Sequence, residues 1–138
     1  MGVAVARLKR RADFLKVAAA RKKWVAPGLI VQARVREPDA REGNVQVDPA
    51  SVRIGFTVSR KVGNAVQRNR ARRRLRMAAA GVLGGTGRLA GGFDLVVIGR
   101  TETLARPFPA LLDDLTMALK RLDVWRNGET AKTTKTKI

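Results

Sequence analysis

The residues best equipped for chemistry in this sequence are arginines, and six of them fall within one nine-residue segment. The segment reads RNRARRRLR, with arginine at positions 68, 70, 72, 73, 74 and 76. No acidic residue offsets them, because the chain has no Asp or Glu between Asp48 and Asp94. Guanidinium groups are always charged and fit phosphate through parallel hydrogen bonds, so the segment predicts a polyanion-binding surface. A solvated helix face is the alternative, although such surfaces normally mix charges of both signs.

These arginines are expected to share one helix. Asn64 follows Gly63 and can cap free backbone N–H groups, and no Pro or Gly interrupts the chain from Ala65 until Gly81. Like charges four residues apart cost roughly 0.2–0.5 kcal/mol per pair, so the helix needs a core to hold it. The apolar stripe that would pack on that core comprises Ala71, Leu75, Ala78 and Val82. The arginines then divide between the border of the stripe (Arg68 and Arg72) and the outer face (Arg70, Arg73 and Arg74).

Composition excludes several classes of active site. The chain has 138 residues, of which 29 are basic and 11 acidic, and its formal net charge is +18. It contains neither His nor Cys, which excludes disulfides, Ser–His triads, histidine acid–base chemistry and the usual zinc sites. Asp13 and Asp94 are far apart in sequence, and no carboxylate lies within the basic segment. We therefore expect no catalytic residue and no metal ligand in the protein. The lack of cysteine fits a reducing compartment, and we expect a cytoplasmic protein.

The rest of the chain predicts a single α/β domain. Strands are indicated by alternating apolar and polar residues over Gly28–Glu37 and Ser51–Arg60, and by the apolar run Phe93–Gly99, which is typical of a strand buried on both faces. Further helices are expected over about Arg10–Ala20 and Pro107–Leu122. The order is helix, strand, strand, helix, strand, helix. We expect residues 1–6 to be flexible, residues 7–124 to form the domain, and residues 125–138 to be a disordered basic tail.

The connections carry turn residues. Pro38 to Pro49 is expected to be a loop or a loose hairpin, and the glycine-rich stretch Gly81 to Gly92 a flexible connection. If the strands over 28–37 and 51–60 pair with each other, their polar faces merge into one surface beside the arginine helix. The residues of that surface would be Gln32, Arg34, Arg53, Thr57 and Ser59.

The arginine segment also carries a resemblance. Residues 55–76, GFTVSRKVGNAVQRNRARRRLR, resemble the signature of the bacterial ribonuclease P protein subunit, whose hallmark is an Arg-Asn-Arg helix. Here the motif is Arg68-Asn69-Arg70, after Lys61 and the VGNAV segment. The resemblance extends more weakly from about Arg7 to Leu122. It implies a two-layer α+β sandwich with three helices on a mixed sheet of about four strands, with room for one more short strand. It also implies a left-handed βαβ crossover, where the general rule gives a right-handed one.

The resemblance implies a function in tRNA maturation. Family members join a large catalytic RNA, and that RNA holds the Mg²⁺ ions that cleave the 5′ leader from precursor tRNA. The protein alone is expected to be inactive. It would bind the leader, neutralise charge and help Mg²⁺ to occupy its sites in the RNA. No membrane and no further protein partner is expected.

The resemblance also implies roles for individual residues. The residues expected to bind phosphates are Arg60, Lys61, Arg68, Arg70, Arg72, Arg73 and Arg76. Asn69 would hydrogen-bond RNA or a metal-bound water. The cleft for the single-stranded leader would be lined by Phe14, Gln32, Arg34, Thr57 and Ser59. Base stacking on an aromatic side chain is worth about 1–3 kcal/mol.

Two positions depart from the family pattern. Ala18 stands where a second aromatic or large apolar residue is common, and Gln32 stands where Tyr is common. They predict a cleft with less stacking and more hydrogen bonding. On the sequence alone Phe14 is better explained as a core anchor, and Trp24 is equally well explained as a partly buried anchor or as an RNA-stacking residue.

Two other functions compete. A non-catalytic structural RNA-binding protein, similar to a ribosomal protein, explains the charge equally well but not the Arg-Asn-Arg segment in its context. A membrane-surface protein needs large apolar side chains opposite the charges, and the arginine helix offers mainly alanines and one Leu.

Overall fold

The structure is a computed structural model that describes residues 5–83 and 89–125. These residues form a mixed β-sheet with helices on both faces. The strands are β1 (Val5–Arg7), β2 (Lys22–Val25), β3 (Leu29–Val35), β4 (Arg41–Glu42), β5 (Val45–Gln46), β6 (Val52–Val58) and β7 (Phe93–Gly99). The helices are α1 (Arg11–Ala19), α2 (Ala65–Leu83) and α3 (Phe108–Arg121), with short 3₁₀ turns at Arg60–Val62 and Thr101–Leu104. Five strands form the main sheet in the order β1-β6-β7-β3-β2, and β4 and β5 form a separate hairpin.

The α/β class, the three helices and the mixed sheet are confirmed. Each expected helix and strand occurs within about two residues of its predicted bounds, and the hairpin β4–β5 lies in the expected connection. β6 and β7 are parallel neighbours, so β6, α2 and β7 form the expected βαβ unit. The left hand of that crossover stays a prediction. β1 and β2 are edge strands that the sequence pattern did not indicate, and they bring the main sheet to five strands.

The predicted pairing of the strands over 28–37 and 51–60 is wrong. β3 and β6 do not pair, because β7 lies between them, antiparallel to β3 and parallel to β6. The reason is physical. Leu95, Val96 and Val97 are all buried, so β7 needs a covered position in the sheet, and the centre provides it.

Two apolar clusters lie on opposite faces of the sheet. The larger one packs α2 and α3 against β3, β6 and β7, and it includes Leu75, Leu95 and Leu111. The smaller one packs α1 on the other face around Val17 and Val96. α1 therefore adds a third layer to the two-layer sandwich that we expected.

A buried ionic network ties α1 to the sheet. The carboxylate of Asp94 on β7 is fully buried and accepts two hydrogen bonds from Arg53 on β6, at 2.9 and 2.7 Å. Arg53 also lies 3.3 Å from Asp13 on α1, and Arg36 donates to Asp94 at 2.9 Å. Hydrogen bonding to Asp94 raises the pKa of Arg53, which keeps this buried guanidinium charged. Arg53 was expected on an open polar face, and the network instead removes it from solvent.

Arg36 is a second buried arginine that the alternating pattern had assigned to a polar face. Its guanidinium donates to the backbone carbonyls of Phe93, Asp48 and Ser51 at 2.8–2.9 Å. It therefore fastens the long connection before β6 to the start of β7.

The ends of the domain are partly described. Val5 and Ala6, which we had placed in a flexible N-terminus, pair in parallel with Val52 and Arg53 of β6. At the other end Trp125 bridges to Leu89. The expected basic tail beyond Trp125 and residues 84–88 of the expected glycine-rich connection lie outside the described residues.

We predict that Asp94→Asn destabilises the fold severely. The substitution leaves Arg36 and Arg53 buried without their shared counter-charge, and breaking a buried pair in this way costs about 3–5 kcal/mol. Urea denaturation measures the change in the free energy of unfolding. The matched control is Glu37→Gln, because Glu37 is exposed and its ion pair with Arg34 should contribute at most about 1 kcal/mol. Equal effects of the two substitutions would contradict the structural role of Asp94.

Candidate nucleic-acid interface

The basic helix α2 begins at a reciprocal cap. The side chain of Asn64 accepts from the N–H of Gln67 at 2.9 Å, and the side chain of Gln67 accepts from the N–H of Asn64 at 2.8 Å. Gly63 precedes the cap with φ 152°, and a Cβ at that position would lie 2.0 Å from the Gln67 amide oxygen. The predicted start at Gly63-Asn64 is confirmed, and the VGNAV segment that contains it fixes how the arginines that follow are presented.

The predicted apolar stripe of α2 is buried, and the predicted RNA-binding residues of α2 stand at its border and on the opposite face. Arg60 and Lys61 lie in the 3₁₀ turn before the helix. Arg60, Lys61, Asn69, Arg70, Arg73 and Arg76 are exposed, and Arg68 and Arg72 are half-buried. Arg68 donates to the carbonyl of Gly63 at 2.8 Å, and Arg72 donates to the side chain of Asn69 at 3.0 Å. Within the described ranges none of these cations forms an ion pair, so their charge is available to an anionic partner.

Arg74 was expected on the exposed outer face of α2, but its side chain contacts another part of the fold. It is half-buried and donates to the backbone carbonyl of Thr103 at 2.9 Å and to that of Arg106. α2 packs against the 3₁₀ turn at this point, so the guanidinium of Arg74 joins two elements of the fold. It is a structural arginine within a run of surface arginines.

A cleft opens between α1 and the sheet face opposite α2. Phe14 of α1 lies directly over Gly55 of β6, where an added Cβ would be 2.4 Å from the Phe14 ring. Beside this contact Phe14 and Thr57 line an open concavity together with Lys9 and Arg11. The cleft therefore combines an aromatic ring, a hydroxyl and two cations, a set that suits an unpaired nucleotide.

Two of the other predicted cleft residues, Gln32 and Ser59, lie on the same side of the sheet as Phe14. Gln32 is half-buried and lies in the row of residues that crosses the sheet through Val96 to Gly55 beneath Phe14. Ser59 lies just beyond β6, and its hydroxyl accepts from the N–H of Lys61 at 3.3 Å, which caps the 3₁₀ turn. Both can face a ligand on this side of the sheet.

Arg34 is the exception among the cleft residues. It pairs with Glu37 at 2.7 Å and approaches Asp94 at 3.5 Å. With Lys16 it lines a separate polar concavity. The structure thus separates Arg34 from the concavity of Phe14 and Thr57, because its row of the sheet is the row that carries the buried network.

Sequence reasoning missed the floor of the cleft. Ile30 and Ile98 are half-buried neighbours in register with Thr57, on the sheet face that carries α1. The signal was present, since alternation puts Ile30 with Gln32 and puts Ile98 with Val96. Placing them beside Thr57 required the strand order.

Trp24 lies on the edge strand β2, on the opposite sheet face from Gln32. The guanidinium of Arg121 on α3 stacks 5.4 Å from its ring centroid. This contact favours the anchor interpretation of Trp24, as a residue that fastens the edge strand to α3.

Two general properties of the site bear on its chemistry. In residues 5–83 and 89–125, no three acidic side chains cluster in a way that could hold a metal ion. Among the helices of the same ranges, none is long and apolar enough to cross a membrane. What the arrangement offers chemically is phosphate binding along α2 and nucleotide binding beside α1.

Comparisons with known proteins agree on one family. The family model described as "Ribonuclease P" matches residues 4–123. The chain is 53% identical to the ribonuclease P protein component of Paramagnetospirillum magneticum over 96% of this chain and 93% of that protein. It is 52% identical to the ribonuclease P protein component of Ruegeria pomeroyi over 83% of this chain and 84% of that protein.

Solved structures agree with the fold. The RNase P protein from Thermotoga maritima superposes with a TM-score of 0.62 at 30% identity, covering 83% of this chain and 96% of that one. The RNase P protein of Staphylococcus aureus gives a TM-score of 0.66 over 87% of this chain and 97% of that one; at 23% identity this likeness concerns the fold alone.

We predict that Arg70→Ala flattens the salt dependence of RNA binding. Each lost phosphate contact should reduce the slope of log affinity against log salt by roughly 0.7–0.9. Filter binding at several salt concentrations measures that slope. Arg74→Ala is the matched control, since Arg74 donates to backbone carbonyls, and its loss should lower thermal stability while leaving the slope unchanged. An unchanged slope for Arg70→Ala would remove Arg70 from the phosphate contacts.

Proposed function

This chain belongs to the ribonuclease P protein family, and we propose that it acts as the protein component of a ribonuclease P ribonucleoprotein in tRNA processing. In this proposal the partner is the RNA of ribonuclease P, and the substrate is precursor tRNA with a 5′ leader. The protein binds both molecules, works in the cytoplasm and needs no other protein partner.

One observation carries the proposal: two kinds of RNA-binding surface occur together on one small domain. The exposed cations of α2 have no ion-pair partner within the described part of the chain, which suits the phosphates of a folded RNA. The cleft beside Phe14 is lined by an aromatic ring, a hydroxyl and cations, which suits an unpaired strand. A partner that offers both a folded RNA and a single strand matches this combination.

Each surface contributes a separate function. Along α2, Arg70, Arg73 and Arg76 neutralise phosphates, which lets two RNA strands approach each other. Asn69 lies among these cations and hydrogen-bonds RNA or a metal-bound water. In the cleft, Phe14 stacks on a base of the leader, and Thr57 and Gln32 bond to its polar edges.

We assign the cleavage step to the RNA partner. The residues of the interface are cationic and would repel Mg²⁺, so in this proposal the ion is bound by RNA phosphates. The protein then acts by holding the leader and lowering the repulsion between RNA strands, which reduces the concentration of Mg²⁺ that the RNA requires. When bound, Mg²⁺ supplies the activated water for cleavage.

The test is cleavage of a precursor tRNA at low Mg²⁺ by the protein alone, by a bacterial ribonuclease P RNA alone, and by both together. We expect cleavage of the 5′ leader only with both. Cleavage by the protein alone would overturn the assignment of catalysis to the RNA. Binding of the RNA without stimulation of cleavage would favour a general structural RNA-binding protein instead.

A further inference from the structure

Phe56 on β6 lies at the meeting point of three adjoining concavities. One is the cleft concavity that it shares with Phe14 and Thr57. The second lies at the end of β1 and is also lined by Phe14, Leu8 and Arg76. The third lies between β1 and the C-terminal half of α2. Together they form one groove, called here the edge groove, which leads from the cleft around the edge of the sheet to α2.

The far end of the edge groove is an apolar pocket of about 380 Å³. Its walls are Ile54 and Phe56 of β6, Val5 of β1, and Ala79, Ala80 and Leu83 of α2. Ala79, which is buried, and Ala80, which is exposed, line the pocket with methyl groups only, and this leaves its space unfilled. Its volume and apolar walls suit an aromatic ring such as a nucleobase.

The rim of the edge groove is cationic. Arg7, Lys9, Arg11 and Arg76 line the three concavities, and no Asp or Glu is among the described residues that line them. The polar concavity on the other side of α1 differs, because Asp13, Glu37 and Asp39 line it together with its cations. The edge groove therefore combines apolar walls with unopposed positive charge, which matches a nucleotide better than it matches an uncharged ligand.

The edge of β6 supplies backbone groups as well. β1 ends beside Ile54, where the N–H of Leu8 donates to the Ile54 carbonyl at 2.9 Å. Backbone groups alternate between the two sides of a strand, so Phe56 presents its N–H and carbonyl on the same side as Ile54. In the described ranges no strand lies next to Phe56 on that side. These groups are free to bond to a ligand in the edge groove.

We propose that the edge groove binds an unpaired nucleotide of the precursor leader, beyond the nucleotide that stacks on Phe14. The base lies in the apolar pocket against Phe56, and its phosphate contacts Arg76 and Arg7. This inference rests on the proposed function and extends the path of the leader. We choose the leader as the occupant because Phe14 and Phe56 share the walls of two concavities, so one strand can run from the cleft into the pocket. Phe56 packs against the core on the α2 side of the sheet, so the strand would pass around the edge of β6 from Phe14 to reach it.

The experiment measures the affinity of the reconstituted holoenzyme for precursor tRNAs with no leader, a short leader and a longer leader. Phe56→Leu keeps an apolar side chain in the core but removes the ring. Ala80→Leu fills the pocket and removes no contact. Phe93→Leu is the matched control, since Phe93 is also half-buried against the main core but lies at the other end of β7. Melting temperatures show whether each variant folds.

We expect the wild type to bind the longer leader more tightly than the short one. Phe56→Leu and Ala80→Leu should reduce that additional affinity by roughly 5- to 150-fold, because a stacked base contributes on this scale. If the longer leader adds less affinity than this, the two variants should abolish the whole addition. Binding of the short leader and of leaderless tRNA should be unchanged, and Phe93→Leu should behave as the wild type.

Two results would overturn the inference. An equal loss for all substrates, including leaderless tRNA, would mean that the pocket takes a base of the catalytic RNA. No loss in Ala80→Leu would mean that the pocket is not used, and this variant decides the matter if Phe56→Leu fails to fold. Failure of the proposed function would give a different result. The wild-type protein would then not stimulate cleavage, and its affinity for precursor tRNA would not depend on the leader.

Discussion

The position of α1 depends on one buried carboxylate. Asp94 has no exposure to solvent, and Arg36 and Arg53 compensate its charge from two sides. Arg53 links Asp94 to α1, because its guanidinium also lies 3.3 Å from the carboxylate of Asp13 on that helix. A buried ionic cluster is only weak evidence for stability, but it tolerates few alternative arrangements. Together with the packing of Val17 on Val96, it fixes how α1 crosses the sheet, and the cleft lies between the two. Phe14, one residue after Asp13, is held over Gly55 as a consequence.

The positive charge of the chain serves two purposes. One group of arginines is structural: Arg36, Arg53, Arg74 and Arg106 donate to buried carboxylates or to backbone carbonyls. The other group, which includes Arg70, Arg73 and Arg76, is exposed and forms no ion pair within the described ranges. The guanidinium group suits both, because its five donors can satisfy several carbonyls at once or fit a phosphate. A net charge of +18 makes the folded domain repel itself, and a polyanionic partner relieves that repulsion.

Local patterns were sufficient for the part of the site that lies on α2. The cap at Asn64 and the buried face around Leu75 follow from residues close in sequence, and the family motif Arg68-Asn69-Arg70 is equally local. The cleft was harder to predict. Arg34 and Arg53 alternate correctly for a polar sheet face, yet their side chains meet Asp94, which is 60 and 41 residues away. Only the central position of β7 brings them together, and the sequence gives no direct measure of which strand lies between two others. The edge groove was missed for the same reason, since it needs β1 beside β6.

We propose that α2 contacts the RNA of ribonuclease P while the cleft beside α1 contacts the leader, and crosslinking tests this most directly. The chain contains no cysteine, so a single introduced thiol can carry a photo-crosslinker at one chosen position. We would place it at Thr57 in the cleft, at Val66 on the exposed face of α2, and at Met117 on the exposed face of α3 as the control. We predict that Thr57→Cys crosslinks the leader, that Val66→Cys crosslinks the ribonuclease P RNA, and that Met117→Cys crosslinks neither. Crosslinks from Met117→Cys as strong as those from Thr57→Cys, or no leader crosslink from Thr57→Cys, would contradict it.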